Sequence, residues 1–103
     1  MTNMELNFLG KGVSLSEIGV NEYVYAWKHV DAVLSEIKKL NLVILGGDVY
    51  IEKNHRMTLT YDSWYYNRLY TPSDCKLSID KARGYIYDYI EKNGDLYYFS
   101  FIL

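Results

Sequence analysis

From Leu42 to Asp62 the chain reads LVILGGDVYIEKNHRMTLTYD, two apolar segments on either side of the polar Lys53-Asn54-His55. No other feature constrains the fold as tightly, because runs rich in Val, Ile, Leu, Thr and Tyr around a short polar break form a β-hairpin. The pairing follows from the faces. Leu45, Val49 and Ile51 alternate on one strand and Met57, Leu59 and Tyr61 on the other, and a shared core requires the two sets to lie on the same side. A two-residue turn at Asn54-His55 sets Thr58 opposite Ile51, whereas a three-residue loop over Lys53 to His55 pairs Glu52 with Arg56, Ile51 with Met57, Val49 with Leu59 and Gly47 with Tyr61. The second register is therefore the expected one. In it Gly47 leaves room for the Tyr61 ring, Gly46 faces Asp62, and both glycines are architectural.

Two helices flank this hairpin. Val30, Val33, Leu34, Ile37 and Leu40 recur at helical spacing and predict a helix over about residues 28 to 40, ending near Asn41 with Lys38 and Lys39 in its last turn. Thr71-Pro72-Ser73-Asp74 opens a second helix, with Thr71 as N-cap and Asp74 reaching back to it. Ile79, Ala82, Ile86, Tyr89 and Ile90 supply its apolar stripe, Gly84 suggests close packing, and Asn93-Gly94 ends it. Before the first helix, Glu22 to Trp27 alternates as a strand. After the second, LYYFSFIL is apolar on both faces, as a central strand would be. The order is strand, helix, strand, strand, helix, strand, which predicts an α+β fold with two helices on a small antiparallel or mixed sheet in a split βαβ arrangement.

At 103 residues, half of them hydrophobic, the chain is expected to form one domain over residues 1–103. A net charge of −2 with scattered Lys and Arg gives no footprint for nucleic acid. No apolar run approaches the roughly 20 residues that span a bilayer, and MTNMELNFLGKG lacks the regions of a secretory signal, so a cytoplasmic location is expected without membrane attachment. The lone Cys75 forms no internal disulfide and reads as a packed thiol. The 12 tyrosines exceed what one small core uses, and surplus Tyr suits a contact surface, although Tyr also favours strands.

Candidate chemistry is sparse. Asp48 and Asp62, as diagonal neighbours on the outer face of the hairpin, could hold a divalent ion or work as acid and base, but nothing completes such a site. His29 and His55 lack ligand spacing, and no glycine-rich phosphate loop precedes a helix. The GGD triplet is shared with diguanylate cyclases, where an acidic residue and Phe follow; here Val49 and Tyr50 stand instead. No cofactor is expected. In the expected register Asp48, Tyr50, Asp62 and Trp64 gather on the outer face as an acidic and aromatic patch.

Three motifs in this order and spacing add a further reading. Gly19-Val20-Asn21-Glu22 followed by Ala26-Trp27, then Leu45-Gly46-Gly47-Asp48-Val49-Tyr50, then Tyr61-Asp62-Ser63-Trp64-Tyr65 together resemble the immunity protein 40 family of bacterial polymorphic toxin systems. The resemblance implies a small cytoplasmic, non-catalytic protein that binds and blocks one cognate toxin domain. The outer-face patch makes Asp48, Tyr50, Asp62 and Trp64 candidate partner-binding residues, and Asn21, Glu22 and Tyr65 from the motif segments join them as candidates. The rival reading is a small metal- or nucleotide-binding α+β enzyme domain that uses Asp48 and Asp62.

Overall fold

The computed structural model describes residues 6–103. The reading of the N-terminus as free of a secretory signal falls partly on residues 1–5, outside the described residues. Strands β1 (Val13–Ser14) and β2 (Tyr23–Ala26) precede helix α1 (Val30–Lys39), followed by β3 (Gly46–Lys53), β4 (Arg56–Tyr65), α2 (Asp74–Asn93) and β5 (Tyr97–Phe99). A 3-10 turn at Trp27–His29 leads into α1, so the regular helix is shorter than the expected 28 to 40.

The strands form one five-stranded sheet in the order β1-β2-β5-β3-β4, with every neighbouring pair antiparallel. Because β5 opposes both β2 and β3, those two strands run parallel with β5 between them. By the same reasoning β4 and β5 run parallel around β3. Each helix thus joins two parallel strands separated by a third, which is the expected split order, with β1 added at one edge. The α+β expectation and the central place of the last strand both hold.

The two helices cover one face. Val30, Val33, Leu34 and Ile37 of α1 and Cys75, Ile79, Ala82 and Ile86 of α2 bury against Tyr25, Val49, Trp64, Phe99 and Phe101. Cys75 is a packed thiol there. The other face carries a second core that the sequence reading did not foresee. Leu15, Val24 and Tyr50 are buried on it, with Ile18, Val20, Met57, Leu59 and Tyr98 packed around them.

This second core overturns the expected hairpin register. The observed pairs are Lys53 with Arg56, Glu52 with Met57, Ile51 with Thr58 and Tyr50 with Leu59, closed by a two-residue turn at Asn54-His55. Both turn residues have positive φ, 51° and 65°, the signature of a turn whose twist matches the strands it joins. The expectation assumed one apolar face. In fact Met57 and Leu59 belong with Tyr50 and not with Val49, because residues 15–20 cover the side that was taken to be open.

Beyond Leu59 the strand bulges. Three residues of β4, Thr60 to Asp62, stand against Val49 alone before pairing resumes at Asp48 with Ser63, Gly47 with Trp64 and Gly46 with Tyr65. Thr60 holds the bulge through its hydroxyl, which donates to the Val49 carbonyl at 2.9 Å and accepts from the Asp62 N–H at 3.1 Å. Gly47 therefore faces Trp64 rather than Tyr61, and Gly46 faces Tyr65 rather than Asp62. The glycines remain architectural, with a different aromatic ring filling the space: a Cβ at Gly47 would collide with the Trp64 ring and the Ser100 carbonyl oxygen.

Two smaller expectations are corrected at the helices. Gly84 is exposed, and a Cβ there would meet nothing within 4 Å, so close packing is not its role. The regular turns of α2 begin at Asp74 and not directly after Thr71, although Asp74 does reach back to the Thr71 N–H, at 3.1 Å. The helix ends at Gly94 as expected, with φ 96°.

Candidate recognition surface

Asp48 sits on β3 with its backbone clamped to the central strand. Its N–H donates to the Ser100 hydroxyl at 2.9 Å, and its carbonyl accepts from the Ser100 N–H at 3.0 Å. It shares strand alternation with Tyr50 and so projects on the face away from the helices. Glu22, just before β2, reaches the same region. Burial pushes the Glu22 carboxyl above its ordinary range, and the charge of Asp48 pushes it further. Asp48 is raised by burial. The Tyr50 phenol is raised by burial first, then by Asp48 and by Glu22. Three of the expected residues, Asp48 and Tyr50 on β3 and Glu22 just ahead of β2, thus form one electrostatic unit. Each carboxylate is half-buried, and the ionised form of each is disfavoured.

The other expected residues do not join it. Asp62 lies in the bulge next to Ser63, the partner of Asp48, and its carboxylate accepts from the Tyr89 phenol of α2 at 2.8 Å. That phenol is pushed up to about 12, by burial first and by the bond to Asp62 second. Trp64 is buried beneath α2, stacked on Tyr85 with ring centroids 5.0 Å apart. The outer-face patch expected from Asp48, Tyr50, Asp62 and Trp64 is therefore split, and Asp48 and Asp62 are not the diagonal pair of the expected register. Tyr65 is exposed, with the Lys81 ammonium 5.6 Å from its ring centroid. Asn21 is exposed ahead of β2.

The segment from Tyr66 to Tyr70 carries no motif in the sequence, yet side-chain bonds from one buried carboxylate tie it down. Asp74, buried at the start of α2, accepts from the Tyr66 phenol at 2.6 Å, the Leu69 N–H at 3.0 Å and the Thr71 N–H. These bonds hold a loop that exposes Leu69 and Tyr70, the latter at φ 59°. Tyr61, in the bulge, is likewise exposed at φ 72°. Bulky side chains rarely adopt such backbone conformations, and strain of this kind concentrates at functional positions. The available signal was the surplus of Tyr between positions 61 and 70.

Among the described residues, no group of three or more His, Cys, Asp or Glu is placed to hold a metal ion, and no helix is long and apolar enough to cross a membrane. What the surface offers is half-buried carboxylates, exposed tyrosines and a pinned loop. The fold defines a small α+β domain with two helices on one face of an antiparallel sheet. The chain belongs to the immunity protein 40 family, whose model matches residues 14–103. Neither a curated protein nor a solved structure matches it.

Proposed function

We propose that this protein neutralises a bacterial polymorphic toxin by binding the cognate toxin domain and blocking it, with no chemistry of its own, in the cytoplasm of the cell that makes it. Membership of the immunity protein 40 family over residues 14–103 carries the reading. The electrostatics support it. Burial disfavours the ionised forms of Glu22 and Asp48, and a cationic surface brought against them would favour those forms.

Within this reading Asn21, Glu22, Asp48, Asp62 and Tyr65 are the contact residues, while Tyr50 and Trp64 support them from beneath. The two roles separate experimentally, because an exposed contact changes affinity and a buried support changes stability first. The test is co-expression with a polymorphic toxin domain, taken from the gene next to this one if that gene encodes such a toxin. Cells carrying both should grow, and the two purified proteins should form a stable complex. Death at the same rate with and without this protein, together with no complex in vitro, would refute the proposal.

A further inference from the structure

Two tyrosines share an unusual combination of backbone and exposure. Among the described residues, those with positive φ that are not glycine are Leu9, Asn41, Asn54, His55, Tyr61 and Tyr70. Asn and His adopt that region more readily than other side chains, and Leu9 precedes the stretch that matches the family. Tyr61 and Tyr70 remain. Among the described residues they are also the most exposed large apolar side chains, at 86% and 81%. Glycine would suit the backbone better at both positions.

The interior gives no reason for either ring. Tyr61 and Tyr70 belong to neither core, and the contact that the Tyr70 ring makes is with the Arg68 guanidinium, 4.9 Å from its centroid, a weak attraction at an exposed site. Yet the backbone is tied on both sides of each. The Thr60 hydroxyl donates to the Val49 carbonyl and accepts from the Asp62 N–H around Tyr61, and the Asp74 carboxylate accepts from the Leu69 and Thr71 N–H groups around Tyr70. Strain that the fold does not use is a mark of function, and a fixed, exposed tyrosine loses little conformational entropy when a partner covers it.

The spacing of the two defines what can reach both. Helix α2 runs alongside β4, an edge strand of the sheet: Tyr89 bonds to Asp62, Tyr85 stacks on Trp64, and Asp74 accepts from Tyr66. Tyr61 thus lies near the Tyr89 end of this edge and Tyr70 near the Asp74 end, and the helix between Asp74 and Tyr89 rises about 22 Å. An interface of standard size, about 800 Å² on each partner, spans that length, and a small molecule does not.

We propose that Tyr61 and Tyr70 are paired anchors that insert into two apolar pockets of the toxin domain, one at each end of the β4–α2 edge. The inference rests on the immunity reading for the identity of the partner, and on exposure, strain and spacing for the mode of contact.

Affinity for the polymorphic toxin domain used in co-expression, measured together with unfolding, tests it. Tyr61→Gly and Tyr70→Gly should each weaken binding at least about tenfold while the unfolding midpoint stays level or rises, because glycine relieves the strained backbone. Tyr61→Phe and Tyr70→Phe keep the ring and should bind within about threefold of the parent. Parental affinity in either glycine variant would overturn the paired anchors and leave the immunity reading intact. A lowered midpoint would overturn them too, since the side chain would then serve the fold, and a phenylalanine variant as weak as its glycine counterpart would rule out an apolar pocket. Dimerisation of the free protein that Tyr61→Gly abolishes would give the edge to a second copy instead. If the parent binds no polymorphic toxin domain, the immunity reading fails and the anchors fail with it.

Discussion

Gly47 lies opposite Trp64, and the indole ring occupies the space that a side chain at position 47 would need. The contact joins the hairpin to α2, since the other side of the same ring stacks on Tyr85. Gly47→Ala is expected to cost about 3 kcal/mol, because the methyl would meet a backbone oxygen as well as the ring and only the ring can move. Urea unfolding measures it. A loss below about 1 kcal/mol would show that Trp64 yields without penalty.

The hairpin turn makes the opposite kind of prediction. Asn54 tolerates positive φ, but His55 holds φ 65° without the short polar side chain that makes such a conformation cheap. His55→Gly is expected to stabilise the protein by about 0.5 kcal/mol, the relief of strain exceeding the added entropy of the unfolded chain. Destabilisation on thermal unfolding would argue that His55 makes a favourable contact at the turn.

The same turn shows what was legible in the sequence and what was not. The α1 stripe, the C-terminal LYYFSFIL and the backward reach of Asp74 could be read because each depends on neighbours close in sequence. The hairpin register could not. Val49 and Tyr50 are adjacent and both buried, so β3 carries no alternation that identifies a solvent side. Its second cover comes from Leu15, Ile18 and Val20, a stretch too short to announce itself. The bulge was hidden for another reason: Tyr61 occupies a position where Gly or Asn would have signalled it. Of the candidate surface, the sequence singled out individual residues, but the approach of Glu22 to Asp48 spans β5 and is announced by nothing local to either residue.

That coupling predicts a pH dependence. Folding raises both carboxyls, so their contribution to stability is complete below the unfolded values of 4.5 for Glu22 and 3.8 for Asp48, and falls as pH rises through the folded values. At neutral pH the two charges therefore weaken the fold. Asp48→Asn should raise the unfolding midpoint at neutral pH, and the gain should vanish below 3.8, where the parent carboxyl is protonated in both states. A gain of equal size at both pH values would show that the charge is not the cause. Binding should respond inversely, with the toxin held more tightly at neutral pH than in acid, where the carboxylates lose the charge that attracts it.

Asp74 is the counterpart with the opposite sign. The bond from the Tyr66 phenol first, and those from the Leu69 and Thr71 N–H groups after it, hold its carboxyl below the ordinary range, while the Tyr66 phenol is pushed up to about 12. A carboxyl lowered by folding contributes stability above its unfolded value of 3.8 and loses it as pH falls through the folded value. Asp74→Asn should therefore destabilise the protein at neutral pH, and the deficit should shrink in acid as the parent loses its own charge. The damage should also be local. Asp74 ties Tyr66, Leu69 and Thr71 to the first turn of α2, so its replacement frees the loop that presents Leu69 and Tyr70 before it disturbs the sheet. Hydrogen exchange reads this directly: the amides of Leu69 and Thr71 should exchange faster in Asp74→Asn, while those of Val49 and Phe99 in the central strands keep their protection relative to global stability. Unchanged protection at Leu69 and Thr71 would mean that the loop is held by its backbone path alone and that Asp74 only caps the helix.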